Sequence, residues 1–278
     1  MSLKLYIGES GSGKSHGLYR ELIAASMAYP EENFFLIVPE QYTLQTQKLI
    51  AQIHPRHGVM NIDVVSFARL AHRIFEELGV VTAGILEDTG KRMVLSKLLL
   101  AHEKELTAFG GSVMKSGFCS ELKSMISEFL AYNITPEALL QAQQSLESKD
   151  PGSPLSKKLH DLAMIYGAFK DYIKGHYLTS EEILTVLAPL VPESVILKNS
   201  WLYLDYFTGF TPSQYVLLRQ LLICCKGTVM TMTVDAKSRP FDPKRPYELF
   251  YLTKETIYRL NRLCAEIGCR REQMHGRM

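Results

Sequence analysis

The sequence lacks the features that mark membrane and secreted proteins. No apolar run approaches the length of a membrane span, and the first apolar segment is too short for a signal peptide. The five cysteines are an odd number and include no C-x-x-C pair or flanking histidines, which argues against a disulfide framework and a zinc site. We therefore expect free thiols, no membrane partner and a cytoplasmic location.

The sequence also lacks a clear excess of positive or negative charge. The net charge of +2 over 278 residues is too small to indicate a polyanionic partner by itself. Its distribution is uneven, because residues 237–278 contain ten Lys and Arg against five Asp and Glu, which gives +5 there and −3 in the remainder. Such a segment suits nucleic acid or an acidic partner surface, and it is equally compatible with a solvated, Arg-rich helix.

The strongest motif lies at the start of the chain, where the apolar run Leu3–Ile7 precedes a glycine-rich segment. Residues 8–15 fit G-x-x-x-x-G-K-[ST], the P-loop, whose backbone N–H groups turn inward around nucleotide phosphates. Lys14 can then reach the β- and γ-phosphates, and the Ser15 hydroxyl can bind Mg²⁺. The motif predicts ATP with Mg²⁺ as ligand, held by Gly8, Glu9, Ser10, Gly11, Ser12, Gly13, Lys14 and Ser15.

Two further strand-helix units follow. Phe34–Val38 and Ile62–Val65 are apolar runs of strand length, each followed by a helical pattern, from Glu40 to Ile53 and from Phe67 to Leu78. Ser66 is a suitable N-cap for the second helix. Successive units of this kind predict an α/β fold with a parallel sheet and right-handed crossovers.

The middle of the chain has a different pattern. Residues 85–195 show amphipathic helical segments without a convincing strand, which predicts a large all-helical insertion between two parts of an α/β domain, residues 1–84 and 196–278. A separate small helical domain is the alternative. Eleven Lys and Arg against fourteen Asp and Glu argue against a DNA-gripping surface there.

Strand character returns at Trp201–Leu204, which ends in Asp205. An aspartate at the carboxyl end of a strand beside a P-loop can hold Mg²⁺, usually through water, as in a Walker B strand. A simple turn residue is the alternative. We predict Ser15 and Asp205 as the magnesium ligands.

Four segments together resemble the N-terminal part of AddB, the second subunit of the bacterial AddAB ATP-dependent helicase-nucleases. They are GESGSGKS (8–15), LIVPEQYT (36–43), VVSFARL (64–70) and LDYFTGFT (204–211), in matching order and spacing. The second and fourth are much more specific to this family than the P-loop. The resemblance implies a P-loop NTPase-type domain, the first helicase-like domain of superfamily 1, in a longer subunit whose second helicase-like domain and nuclease would follow Met278.

The family processes DNA double-strand ends for recombinational repair, and within it the AddB subunit helps to recognise the hotspot sequence Chi. In related helicases the segments matching Pro39–Thr43 and Ser66–Phe67 touch single-stranded DNA. The resemblance thus implies DNA-contacting roles for Thr43, Ser66 and Arg69, although Ser66 is also a natural N-cap. The implied partners are single-stranded DNA or duplex ends and an AddA-type helicase-nuclease subunit in a heterodimer.

The sequence departs from active helicases of this superfamily in three places. Tyr206 stands where a glutamate would activate the attacking water, and no glutamine precedes Gly8 to read adenine. The residues directly after Asp235, AKS (236–238), include no glutamine to sense the γ-phosphate. We therefore expect a degenerate helicase domain that binds ATP and contributes to DNA handling, with no catalytic residue of its own.

The alternative function is an autonomous P-loop ATPase or small-molecule kinase. In that case the helical block would form a lid, and Arg92, Lys157 or Lys158 would complete the phosphate site. Guanine specificity is disfavoured, because the sequence contains no N-K-x-D.

Overall fold

The computed structural model of this chain describes residues 1–58, 61–80, 84–115, 117–235 and 245–275. The chain divides into two compact units, one containing Met1–Val80 and the residues from Leu184 onward, the other containing the residues between them. The sequence placed these divisions at 84/85 and 195/196. The identification of the units as a helicase-like domain and its insertion stays a prediction.

Strands and helices alternate over the first 78 residues, as the sequence predicts. The strands are β1 (Ser2–Gly8), β2 (Asn33–Ile37), β3 (Ile62–Val65), β4 (Gly84–Leu86), β5 (Tyr177–Thr179), β6 (Ser200–Leu204), β7 (Gly227–Thr233) and β8 (Arg270–His275). The α-helices are α1 (Lys14–Ala28), α2 (Thr43–Ile53), α3 (Phe67–Leu78), α4 (Asp88–Ala101), α5 (Phe118–Ala131), α6 (Pro136–Lys149), α7 (Pro154–Ile173), α8 (Ile183–Leu187), α9 (Val195–Lys198), α10 (Pro212–Cys224) and α11 (Tyr251–Ile267).

Six parallel strands form the sheet of the first unit, in the order β3-β2-β6-β7-β1-β8. Residues 34–37 of β2 are continuously apolar because both faces of this strand are buried, and Leu36, opposite Val64 and Tyr203, is fully buried. The α/β class with a parallel central sheet is confirmed. Since the carboxyl ends of parallel strands meet at one edge, the segments after β1, β2, β3 and β6 lie along that edge.

Side-chain caps start two of the helices at this edge, α3 and α10. The Ser66 hydroxyl accepts a hydrogen bond from the Arg69 N–H at 3.3 Å, and α3 ends at Gly79, whose φ of 63° is left-handed. Thr211 and Gln214 form a reciprocal capping box at the start of α10. The helix start predicted at Ser66 is confirmed.

The second unit packs its helices around one apolar core, which includes Leu95, Ile126, Tyr166 and Phe169. The fully buried Asp161 carboxylate accepts hydrogen bonds from three successive backbone N–H groups, at residues 107–109, and so fixes the loop before α5. The prediction of an all-helical unit is wrong in one respect, because β4 and β5 pair in parallel. Each has three residues, too few to show the two-residue period of a strand.

The sequence analysis also missed β8, which pairs in parallel with β1 at the edge of the main sheet. Its sequence, RREQMH, is polar because an edge strand does not need two buried faces. Residues 236–244, where the γ-phosphate-sensing glutamine is absent from the sequence, lie outside the described residues.

All five cysteines are free thiols, as predicted. None of the helices in the described part of the chain combines the length and the apolar character that a membrane span requires.

Candidate functional site

The glycine-rich segment connects the carboxyl end of β1 with the first turn of α1. Gly11 and Gly13 have φ values of 78° and 81°, a left-handed conformation that would strain other residues. The Ser12 N–H donates to the Glu9 carbonyl at 3.2 Å and closes the loop. The first N–H groups of a helix have no intrahelical acceptor, and because the N-cap of α1 is Gly13 no cap side chain accepts from them either. These groups and the positive end of the helix dipole favour an anion.

Lys14 is folded back onto this loop and is only 8% exposed. Its Nζ donates to the Glu9 carbonyl at 2.6 Å and to the Ser12 Oγ at 3.4 Å. Burial lowers the pKa of Lys14, and the nearby charge of Asp205 opposes that shift. The loop's own oxygens thus occupy the ammonium group, and phosphate oxygens are stronger acceptors that could replace them.

Asp205 follows β6 and is 2% exposed. Its Oδ1 accepts hydrogen bonds from Ser15 Oγ at 3.1 Å and from the Tyr206 N–H at 2.9 Å. Thr231, on the intervening strand β7, donates to the same oxygen, and the Tyr19 hydroxyl donates to Oδ2 at 2.7 Å. The sheet therefore brings the two predicted magnesium ligands into direct contact, although they are 190 residues apart.

A cavity of about 530 Å³ lies at this point. The buried cation, the first N–H groups of the helix and several hydroxyls converge on it, which is the chemistry that an anionic phosphate chain needs. Of its lining, the sequence analysis predicted Ser10, Gly11, Gly13, Lys14, Ser15 and Asp205, and it missed His16, Phe207, Thr208, Thr231 and Thr233.

The donor set at the cavity fits a magnesium ion that arrives with a nucleotide. Ser15 and Asp205 offer a hydroxyl and a carboxylate, and Mg²⁺ typically keeps several waters and takes its other ligands from phosphates. No cluster of three or more His, Cys, Asp or Glu that could hold a metal by itself occurs among the described residues. The magnesium site stays a prediction.

The three residues that the resemblance assigned to DNA lie after β2 and β3. Thr43 is buried and donates to the Glu40 carbonyl at 2.9 Å, while Ser66 is buried and caps α3. Arg69 keeps most of its side chain in solvent, where its Nε lies 3.3 Å from Glu40 Oε1. Only Arg69 of the three thus presents its side chain to an outside ligand, and the DNA assignment remains untested.

Aromatic side chains join these segments to the fourth motif. The rings of Tyr42 and Tyr206 stack with centroids 4.6 Å apart, and Phe67 contacts Phe207 and Phe210 at 5.5 and 6.3 Å. Tyr206 holds a left-handed φ of 68°, which is uncommon outside glycine. The signal for this group was the aromatic content of the segment DYFTGF, which the sequence analysis used only as a mark of the family.

The chain matches the family model described as "ADDB, N-terminal" over residues 5–277. It belongs to the AddB N-terminal family. It is similar to the B subunit of the ATP-dependent helicase/deoxyribonuclease of Lachnoclostridium phytofermentans, with 42% identity over 95% of this chain and 23% of that protein. The corresponding protein of Heliobacterium modesticaldum is 34% identical over 96% of this chain and 22% of its own length, and that of Bacillus cereus 32% identical over 96% and 23%.

The resemblance to AddB is therefore confirmed. The chain spans less than a quarter of the length of these AddB relatives, so their printed activity describes much longer proteins. The relatives give no support to an autonomous ATPase or kinase, and Arg92, Lys157 and Lys158, proposed for that alternative, belong to the other compact unit.

Proposed function

We propose that this chain is the N-terminal, helicase-like region of an AddB-type subunit, with a P-loop NTPase-type domain of superfamily 1 that binds ATP with Mg²⁺. In this role it contributes to the handling of DNA ends beside an AddA-type subunit, without hydrolysing ATP itself. The observation that carries the proposal is the contact between Ser15 and Asp205 at a cavity lined by the glycine-rich loop.

Different groups of the loop would bind different parts of the nucleotide. The N–H groups around Gly11 and Gly13 would surround the phosphates, and Lys14 would exchange its bonds to Glu9 and Ser12 for phosphate oxygens. Magnesium bound with the nucleotide would neutralise part of the phosphate charge, next to the Ser15 hydroxyl and the Asp205 carboxylate. All of these groups lie within one compact unit.

The absence of hydrolysis is proposed from Tyr206. Phosphoryl transfer to water needs a group that orients the water and accepts its proton, and the phenol of a tyrosine is a poor proton acceptor at neutral pH. Its ring stacks on Tyr42, which holds it against the segment after β2.

The DNA role is proposed from the exposed edge formed by the segments after β2 and β3. Arg69 can exchange its ion pair with Glu40 for a phosphate, and half-exposed Tyr42 offers a ring on which a base can stack. Ser66 uses its hydroxyl to cap α3, and Thr43 donates its hydroxyl and its N–H to the Glu40 carbonyl. We therefore assign both residues to shaping this edge, and we assign to Ser66 a backbone N–H contact with a DNA phosphate.

Calorimetry with ATP and Mg²⁺ tests the nucleotide site. Lys14→Ala should weaken ATP binding by at least about tenfold, roughly 1.4 kcal/mol, whereas Lys48→Ala, which removes an exposed cation from α2, should not. GTP should bind within about tenfold of ATP, because the contacts proposed for the loop are to the phosphates that both nucleotides share. Equal ATP affinity in wild type and Lys14→Ala would contradict the proposal.

Fluorescence anisotropy with labelled single strands tests the DNA role. Few phosphate contacts are available on one domain, so binding should be weak, similar for different sequences and steeply reduced by salt. Tight binding that does not respond to salt would contradict this part of the proposal.

A further inference from the structure

Tyr19 is a buried phenol that the nucleotide site described above does not use. It is 2% exposed and lies on α1 four residues after Ser15, so both side chains are on the same face of the helix. Both reach Asp205, Ser15 through Oδ1 and Tyr19 through Oδ2. Burial, and then the charge of Asp205, raise the pKa of Tyr19, so it remains a phenol and a hydrogen-bond donor.

The four donors are distributed unevenly over the carboxylate. Ser15, Thr231 and the Tyr206 N–H all bond Oδ1, whereas Tyr19 bonds Oδ2. A carboxylate has about four acceptor positions, two on each oxygen. Oδ1 is therefore saturated, and Oδ2 is the oxygen with acceptor capacity left for a metal ion and its waters. Tyr19 occupies one of the two acceptor positions of Oδ2 and leaves the other open.

We propose that Tyr19 is a positioning residue that fixes Oδ2 of Asp205 and makes nucleotide binding depend less on magnesium. The inference rests on the proposed nucleotide site. With the phenol in place, the buried carboxylate is hydrogen-bonded on both oxygens before any ion arrives, so an ion adds little stabilisation. Without the phenol, Oδ2 would be a buried acceptor lacking a partner, and the ion's hydration shell would supply the missing donor.

A purely structural role for Tyr19 makes a different prediction. A phenol that only fills the core and satisfies its own hydrogen bond would change the free energy of unfolding when replaced, but not the effect of magnesium on ATP affinity. The ratio of the ATP dissociation constant in EDTA to that in excess Mg²⁺ therefore separates the two roles.

This ratio is measured by calorimetry for wild type, Tyr19→Phe and the control Tyr203→Phe. Tyr203 is also fully buried in this unit, where its ring packs against Phe34, and it is not among the donors to Asp205. We expect the ratio for Tyr19→Phe to exceed that of wild type by at least about tenfold, roughly 1.4 kcal/mol of added coupling to the ion. The control should match wild type.

Three results are decisive. A ratio for Tyr19→Phe equal to that of wild type overturns the role of Tyr19 and leaves the nucleotide site intact. If wild type binds ATP in neither buffer, the nucleotide site is overturned and this inference with it. If circular dichroism shows that Tyr19→Phe does not fold, Tyr19→Met, which also removes the donor to Oδ2 and has a flexible apolar side chain that can fill the space, decides: an unchanged ratio overturns the inference and a raised one supports it.

Discussion

Replacing Tyr206 by glutamate would put a carboxylate at the position where the superfamily 1 helicases that the sequence resembles hold their water-activating base. We predict that wild type hydrolyses ATP no faster than Lys14→Ala, and that Tyr206→Glu gains less than about tenfold. The missing base alone accounts for about 10²- to 10⁴-fold in rate. An arginine that stabilises the transition state contributes about 10³- to 10⁵-fold more, and the resemblance implies that it would come from a second helicase-like domain.

The geometry at Tyr206 sets a further limit on that variant. The left-handed backbone, with φ of 68°, costs a non-glycine residue about 1–2 kcal/mol, and glutamate would carry the same cost. Glutamate would also lose the stack on Tyr42, which contributes about 0.5–1.5 kcal/mol. The carboxylate of Tyr206→Glu would thus lack the ring contact that holds the side chain at this position. Tyr206→Phe keeps the ring and is the matched control.

Steady-state phosphate release, with and without single-stranded DNA, measures the prediction. Lys14→Ala defines the background from contaminating ATPases, because it removes the loop cation that we propose binds phosphate. Tyr206→Phe should remain at that background as well. Robust ATP turnover by wild type that is abolished in Lys14→Ala would refute the reasoning and favour the alternative function, an autonomous ATPase. A rise of about 100-fold in Tyr206→Glu would show that the base was the only missing part.

Three further predictions concern other parts of the chain. Arg69→Ala should weaken single-stranded DNA binding equally across sequences and reduce the slope of log affinity against log salt by about one unit in anisotropy titrations; an unchanged slope would contradict a phosphate contact. Asp161→Asn should lower the free energy of unfolding in urea by about 2–4 kcal/mol, because the amide nitrogen that replaces one fully buried carboxylate oxygen cannot accept that oxygen's hydrogen bonds. A change below about 1 kcal/mol would contradict this. Burial raises the pKa of Cys225 and Cys264 to about 12, so mass spectrometry after alkylation near pH 8 should find them unlabelled in the native protein while half-buried Cys119 reacts; early labelling of Cys225 would argue against its burial.

The sequence was informative wherever one segment carried its own signal. Strands β2 and β6 were predicted within one residue at each end because both faces are buried and the apolar run is continuous. The glycine-rich loop was recognisable because its backbone needs glycine at Gly11 and Gly13. Strand β8 and the β4-β5 pair had no such signal, since an edge strand can be polar and three residues show no period.

The partners of Asp205 could not be predicted in the same way. Their meeting depends on the strand order, in which β7 lies between β1 and β6 and so carries Thr231 to the carboxylate. No local pattern fixes that order. The role of Tyr19 could not be predicted from the sequence either, because an aromatic residue on the inner face of a helix is typical of the hydrophobic core. Its hydrogen bond to Asp205 becomes apparent only when the fold brings the two residues together.

Asp205 and Lys14 differ in what their presence says about function. Removing the Asp205 carboxylate would leave the buried hydroxyls of Tyr19 and Thr231 without their acceptor, at about 1–3 kcal/mol for each group. A domain that had lost every nucleotide would therefore still keep Asp205 for stability. Lys14 has no comparable structural reason, because burial lowers its pKa and so disfavours its charge in the folded chain. A buried cation whose acceptors are two oxygens of its own loop is better explained by an anionic ligand, which makes Lys14 the stronger sign of nucleotide binding.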